Sequence, residues 1–297
     1  MRIVSLLPSA TEILFAVGAG DDVVGVTFEC DHPPEARTRR IVSTSALAEG
    51  MDLAEIDAAV SARMAAGEDL YHLDAGALAG LDADLVVTQD LCAVCAVDAA
   101  DVEAALAHLG CDGRVLTVAP GRLGEVIASI GILGGADGAG PAADRLVAAL
   151  EARLAAVRER VAGVRRPRTL VLEWTDPPYA PGHWVPEMIA AAGGASVLGV
   201  AGRPSERVTW EAVAAADPEV VVCAPCGFGL DAAVAAARDL LAGGNLPAGA
   251  ELWAVDANAS WARPGPRLVD GVEALAGILH RDRAAPPARD AAAPVRP

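Results

Sequence analysis

Residues 142–161, AADRLVAALEARLAAVRERV, form the stretch that decides the fold. Its large aliphatic side chains recur every three or four residues, which is the spacing of one face of a helix. They are Leu146, Leu150, Leu154, Val157 and Val161. A break rich in glycine and alanine precedes this stretch, and Pro167 follows it. The sequence therefore predicts one long helix between two separate halves of the chain.

Both halves alternate short apolar runs with longer amphipathic ones, a pattern typical of α/β layers. Strands in the first half are predicted at residues 3–7, 23–26, 84–88 and 114–118. Strands in the second half are predicted at residues 169–173, 220–223 and 252–255. Ser9 and Glu12 have the spacing of a capping box at the start of the first helix. We therefore predict an α/β fold of two Rossmann-like lobes with parallel sheets, bridged by one long α-helix.

These elements divide the chain into four predicted segments. An N-terminal α/β lobe spans residues 1–137, a linker helix spans 138–166, and a C-terminal α/β lobe spans 167–281. The last segment, 282–297, is rich in proline, alanine and arginine and has no periodicity. That composition predicts a disordered tail.

The composition excludes several classes of function. The 297 residues include 40 acidic and 23 basic ones, giving a formal net charge of −17, so the chain repels nucleic acid. All the basic residues are arginine, and without lysine neither a Schiff base, a pyridoxal phosphate anchor nor a Walker phosphate loop can form. The Gly-x-Ser-x-Gly motif of hydrolases is absent from the sequence. These observations argue against the corresponding classes of enzyme.

The sequence also bears on location. No uncharged apolar run approaches the ~20 residues that cross a bilayer, so we predict a protein that does not span the membrane. The first residues lack the basic start, apolar run and cleavage site of a secretory signal. We expect a cytoplasmic protein from this sequence, and a periplasmic or cell-surface one if a signal precedes it.

Aromatic and polar residues are concentrated just after the predicted strands. Ligands of open α/β sheets bind outside the carboxyl ends of the strands, so these residues are the candidates for ligand contact. They are Phe28, Glu29, Asp31, Trp174, Tyr179, Trp184, Phe228, Trp261 and Arg263. Aromatic side chains in such loops can form the walls around a large planar ligand. Packing between the two lobes is the alternative interpretation of the same residues.

Cysteine spacing suggests a second kind of site. The pairs Cys92/Cys95 and Cys223/Cys226 have the short spacing of zinc or iron–sulfur ligands. Further candidate metal ligands near the same strand ends are Cys30, His32 and His183. The imidazole of His183 could also ligate the metal of a cofactor. Buried packing is the alternative for the cysteines. The alternative function is therefore a cytoplasmic protein that binds zinc, iron or a metal cluster as a chaperone, sensor or redox protein.

Several motifs together resemble a known family. RIVSLLPSATE at residues 2–12, the stretch 174–194 and WARPGPR at 261–267 resemble class III substrate-binding proteins of ABC importers, whose backbone between the lobes is helical. Further motifs resemble the subgroup that lacks a signal peptide and is called cobalamin-binding protein. These are FECDHPP at 28–34, TQDLCAVCAV at 88–97, GHWVPEM at 182–188 and PCGF at 225–228. The resemblance covers residues 1–280.

The resemblance implies non-catalytic binding of cobalamin or a related corrinoid in a cleft between two lobes. It also implies that a carboxylate on each lobe docks on an ABC permease, at positions that match Asp74 and Glu211 approximately. Each of these acids also suits the first turn of a helix, where a negative charge is favourable for local reasons alone. The implied partners are a small-molecule ligand and a permease.

Overall fold

The computed structural model describes residues 1–48, 50–66, 68, 70–89 and 113–296. The chain divides into two compact units. The first comprises Met1–Pro120 and Ile127–Ala148, and the second comprises Gly121–Val126 and Ala149–Pro297. The predicted α/β fold with parallel sheets is confirmed in both units.

The first unit contains a five-stranded sheet with the order β3-β2-β1-β6-β7, and all four strand pairings are parallel. Its strands are β1 (Ile3–Ser5), β2 (Val23–Val26), β3 (Arg40–Ile41), β6 (Leu85–Thr88) and β7 (Arg114–Thr117). A separate antiparallel pair consists of β4 (Ser43–Ser45) and β5 (Tyr71–Leu73). Among the described residues, helices α1 (Pro8–Ala16), α2 (Leu53–Ala66) and α3 (Ala75–Leu78) lie in this unit, and α4 (Leu123–Asp137) begins in the second unit and continues into this one.

The first strand and helix differ in detail from the prediction. Helix α1 begins at Pro8, where the missing N–H of proline costs nothing because a first-turn N–H has no helical partner. Its N-cap is Leu7, which makes no side-chain capping bond, while Ser9 and Glu12 are buried within the helix. The predicted capping box is therefore wrong, since Ser9 does not occupy the N-cap position.

The second unit contains a five-stranded sheet with the order β11-β8-β13-β14-β15. Its strands are β8 (Arg168–Leu172), β11 (Ala195–Ser196), β13 (Val220–Cys223), β14 (Glu251–Val255) and β15 (Ala292–Val295). A small antiparallel sheet consists of β9 (Trp174–Thr175), β10 (Pro178–Ala180) and β12 (Glu206–Arg207). Helix α5 (Gly140–Arg160) begins in the first unit and continues into the second. The other described helices of the second unit are α6 (Val185–Ala191), α7 (Trp210–Ala216), α8 (Leu230–Ala242), α9 (Ala257–Ser260) and α10 (Leu268–Leu279).

The predicted disorder of residues 282–297 is corrected by a strand within this segment. Strand β15 pairs antiparallel with β14, with Val295 opposite Leu252 and Ala292 opposite Val255. Ala292 and Val295 are buried, and the strand forms one edge of the sheet. An edge strand tolerates Pro294 because only one side of such a strand must pair. Composition alone predicted disorder here because it does not register the two apolar positions that the sheet can bury.

Helix α5 is the predicted long helix, and it contains the division between the units at Ala148 and Ala149. In the second unit Leu150, Leu154 and Val157 are buried, as the spacing of the apolar residues predicts. Arg153 on the same helix bonds to Glu273 of α10 at 2.6 and 3.0 Å and also to Asp270. The hydrogen bonds to Glu273 are the main reason that the pKa of Arg153 lies above its ordinary value. None of the helices in the described part of the chain is long and apolar enough to cross a membrane.

The buried face of α5 can be tested by truncation. We expect Leu154→Ala to lower the free energy of unfolding by about 2–5 kcal/mol, because the change removes a buried side chain and leaves a cavity. Glu151→Ala, at an exposed position one turn away, should change it by less than about 0.5 kcal/mol. Urea denaturation of both variants measures the difference. Equal effects would contradict the assignment of this face to the core.

Candidate ligand-binding site

The carboxyl edge of the second sheet gathers most of the predicted site residues. From β8 the chain runs first to β11 on one side of the sheet and later to β13 and β14 on the other. The order of strands therefore reverses between β8 and β13, which is where open α/β sheets bind ligands. The loops that begin at this edge comprise residues 173–183 after β8, 224–229 after β13, and 256–263 after β14.

Main-chain hydrogen bonds connect the three loops to one another. The N–H of Cys226 donates to the carbonyl of Glu173 at 3.1 Å, which joins the first loop to the second. The carbonyl of Phe228 accepts from the N–H groups of Ala257 and Asn258 at 3.1 and 3.2 Å, which joins the second to the third. The side-chain amide of Asn258 also donates to the carbonyl of Gly227 at 2.9 Å. The loops thus form one connected surface within the second unit.

Trp174, Tyr179 and Phe228 are partly exposed on this surface. The rings of Trp174 and Phe228 meet edge to face, with centroids 5.6 Å apart and planes at 69°. The indole N–H of Trp174 donates to the carbonyl of Asp176 at 3.0 Å, which fixes the ring. The guanidinium of Arg207 lies 5.8 Å from the ring centroid of Tyr179, a cation–π contact that the sequence did not indicate. Arg207 becomes a neighbour of Tyr179 because β12 pairs with β10.

The structure places two other predicted aromatic contacts in the interior. Trp184 is 5% exposed and Trp261 is 2% exposed. The indole N–H of Trp184 donates to the carbonyl of Trp261 at 2.8 Å, which ties α6 to the segment after α9. These residues pack in the second unit, whereas Arg263, two positions later, is partly exposed. The density of aromatics in the sequence could not separate those that pack from those that remain accessible.

His183 has an unusual backbone conformation. Its φ is +45°, in the left-handed region that non-glycine residues seldom adopt. The N–H of His183 donates to the carbonyl of Arg203 at 2.6 Å, and its carbonyl accepts from the N–H of Gly202 at 2.9 Å. The imidazole is half-buried beside the ring of Trp184, with centroids 5.5 Å apart. Burial lowers the pKa of His183 below its ordinary value, so the ring is neutral near pH 7 and can offer a nitrogen to a metal.

The predicted contacts of the first unit follow β2. The rings of Phe28 and Tyr71 lie 5.8 Å apart, and the hydroxyl of Tyr71 donates to the Glu29 carboxylate at 2.9 Å. Asp31 is 3.9 Å from the guanidinium of Arg37. Tyr71, on β5, was missed at the sequence level because it does not follow a strand of the parallel sheet. Its hydroxyl is one hydrogen-bond partner of the Glu29 carboxylate.

The candidate metal ligands do not form a group in the described part of the chain. Cys30 is buried, with its Sγ 3.0 Å from the hydroxyl of Thr11, whereas His32 is exposed. Cys223 is the buried last residue of β13, and Cys226 is exposed three positions later. Among described residues, no three His, Cys, Asp or Glu side chains are arranged to hold a metal ion. Cys92 and Cys95 lie outside the described residues.

Thiol reactivity can test the different environments of the cysteines. Burial raises the pKa of Cys223 to about 12, so both its thiolate fraction and its accessibility are low. We expect Ellman's reagent at pH 8 to modify Cys226 quickly, and Cys226→Ser to remove one fast-reacting thiol. Cys223→Ser should leave the number of fast-reacting thiols unchanged. If Cys223→Ser instead removes a fast-reacting thiol, β13 does not bury this side chain.

The sequence profile of the periplasmic binding protein family matches residues 3–242, which is most of the chain. The chain belongs to that family. It is 26% identical over 294 residues to the uncharacterized ABC transporter substrate-binding lipoprotein YvrC of Bacillus subtilis (strain 168). That match covers 95% of this chain and 80% of the relative. The resemblance to ABC-importer substrate-binding proteins is therefore confirmed, and so is the prediction that the protein is a binder and not an enzyme.

Solved structures support the fold. A periplasmic heme binding protein from Pseudomonas aeruginosa is 21% identical with a TM-score of 0.73, and the match covers 100% of this chain and 98% of that one. The heme-binding protein RhuT from Roseiflexus sp. RS-1 is 25% identical with a TM-score of 0.69, covering 94% and 98%. The vitamin B12 binding protein BtuF of Vibrio cholerae is 23% identical with a TM-score of 0.64, covering 94% and 96%.

Proposed function

We propose that this protein binds a metal tetrapyrrole, a corrinoid or haem, as the binding component of an ABC importer. The observation that carries the proposal is the edge-to-face pair of Trp174 and Phe228, which stays partly exposed at the edge where the strand order reverses. A tetrapyrrole has a broad planar face for such rings and a central metal with an axial position. The neutral imidazole of His183, held in the same set of loops, is a suitable axial ligand.

The similar proteins support a broader ligand class than the sequence alone did. The sequence alone favoured cobalamin or a related corrinoid, whereas the similar solved structures include proteins that bind heme and one that binds vitamin B12. Both ligands combine a planar macrocycle with a metal that accepts a nitrogen ligand. We therefore extend the proposal to both, and a direct titration distinguishes them. Phe28, Glu29 and Asp31 of the first unit and Arg263 of the second are further proposed contacts.

The similarity to a lipoprotein supports a location outside the cytoplasmic membrane. It does not support the cytoplasmic location expected from the sequence. An importer also requires a permease that receives the binding protein. Asp74 and Glu211 are both exposed and are the proposed docking carboxylates. Asp74 accepts from the N–H of Ala77, and Glu211 has a pKa lowered first by its own N–H and then by Thr209, so local roles account for both positions too.

Titration with ferric haem and with hydroxocobalamin tests the ligand class. We expect at least one of them to bind with one-to-one stoichiometry in calorimetry. Trp174→Ala should weaken that binding by roughly 1–3 kcal/mol if the indole stacks on the ligand. Phe15→Ala, which removes a partly buried ring from α1, is the matched control and should leave the affinity unchanged. Absence of heat with both ligands would refute the proposal.

The role of His183 has a pH signature. The ring binds a metal only when it is neutral, so its contribution is present above the lowered pKa and is lost as the pH falls through that value. We expect haem affinity to remain constant from pH 8 down to about 6.5, the ordinary pKa of histidine. His183→Ala should weaken binding about tenfold and change the Soret band, since a charge-free methyl group cannot replace a nitrogen ligand. His72→Ala, at an exposed histidine, should change neither quantity.

A further inference from the structure

We propose that Glu173 is the positioning residue of this edge, because it holds the 182–183 segment in the conformation that presents the imidazole of His183. The inference rests on the proposed function only in assigning a ligand contact to His183. The hydrogen bonds that support it all lie within the protein. Glu173 does not itself contact the ligand in this proposal.

Glu173 is the first residue after β8, and it connects three segments of the edge. Its Oε1 accepts a hydrogen bond from the N–H of Gly182 at 2.8 Å. Its N–H donates to the carbonyl of Tyr179 at 3.2 Å, and its carbonyl accepts from the N–H of Cys226 at 3.1 Å. Glu173 thus connects the small antiparallel sheet, the 182–183 segment and the loop after β13. The two main-chain hydrogen bonds fix the backbone of Glu173, and its side chain then accepts the hydrogen bond from Gly182.

The segment that Glu173 holds has little freedom on its other side. A Cβ on Gly182 would lie 2.2 Å from the N of Ser205 and 2.5 Å from the carbonyl carbon of Pro204. Only glycine therefore fits against the backbone of these two residues. His183 follows at once with its φ of +45°. Its N–H and carbonyl are already bonded to Arg203 and Gly202. In this proposal the hydrogen bond from Gly182 to Glu173 is the restraint on the opposite side that sets the direction of the imidazole.

A carboxylate suits this task for physical reasons. Gly182 is buried, so its N–H would lose its hydrogen-bond partner if the acceptor were removed. A charge-assisted bond from N–H to carboxylate is shorter and stronger than a neutral one. Loss of this hydrogen bond would weaken a restraint next to His183, whose backbone conformation is disfavoured and relaxes when its restraints weaken. A substitution at Glu173 should therefore change the presentation of His183 more than it changes the core.

Hydrogen exchange of the Gly182 amide in the ligand-free protein tests the first step. We expect Glu173→Ala to accelerate exchange about tenfold or more, because the acceptor is lost. Glu173→Gln should retain most of the protection, since its amide oxygen can still accept. Glu151→Ala, an exposed glutamate of α5, is the control and should change nothing. Unchanged exchange in Glu173→Ala, with the melting temperature preserved, would overturn the proposal.

A double-mutant cycle with whichever of ferric haem and hydroxocobalamin the wild-type protein binds tests the second step. We expect Glu173→Ala to weaken binding of that ligand about tenfold in the wild-type background and less than about twofold in the His183→Ala background. A merely structural role would weaken binding equally in both, and that result would overturn the positioning role. If the wild-type protein binds neither haem nor hydroxocobalamin, the proposed function fails. The exchange measurement then decides alone whether Glu173 positions the segment.

Discussion

Parallel pairing of β8, β13 and β14 is the constraint on which the candidate site depends. Parallel strands point the same way, so the three loops that follow them begin at one edge of the sheet. Polar main-chain groups in such loops need partners, and here they find them in one another, as between Cys226 and Glu173. The pairing of strands thus brings together residues that lie more than fifty positions apart. It also makes the loops a connected support rather than independent flexible segments.

The same edge explains why neighbouring aromatics have different roles. Trp174 belongs to a two-residue strand of the small sheet outside the main core, so its ring stays partly exposed against Phe228. Trp184 lies at the start of α6, a helix with buried Val185, Met188 and Ile189, and its indole is covered with them. A contiguous exposed apolar patch often marks a ligand-binding site. The rings that the fold leaves accessible are therefore the informative ones for function.

The regular periodicity of the sequence was sufficient to predict the architecture. It was not sufficient to predict local contacts whose partners are distant in the sequence. Helix α5 begins two residues before the apolar stretch 142–161 and ends one residue before the end of that stretch, and Leu150, Leu154 and Val157, whose spacing predicted the helix, are buried. Strand β15 could not be predicted, since its stability comes from pairing with β14 rather than from its own composition. Glu173 was predicted as the last residue of a strand, whereas its hydrogen bond with Gly182 is specified only by the fold.

The environment of the cysteines bears on where a metal would come from. A thiol is a metal ligand only as the thiolate, and Cys223 at the buried end of β13 has a pKa raised to about 12 by desolvation. Cys226 is exposed, so the strand ends between the two cysteines and gives them different surroundings. A Cys-x-x-Cys pair binds a metal well when both thiolates converge on it, as they do in a turn. The imidazole of His183 requires no deprotonation near pH 7 and lies among the loops of the same edge. A tetrapyrrole, as proposed above, brings its own metal and needs one nitrogen ligand from the protein, so it requires neither Cys223 nor Cys226 as a thiolate.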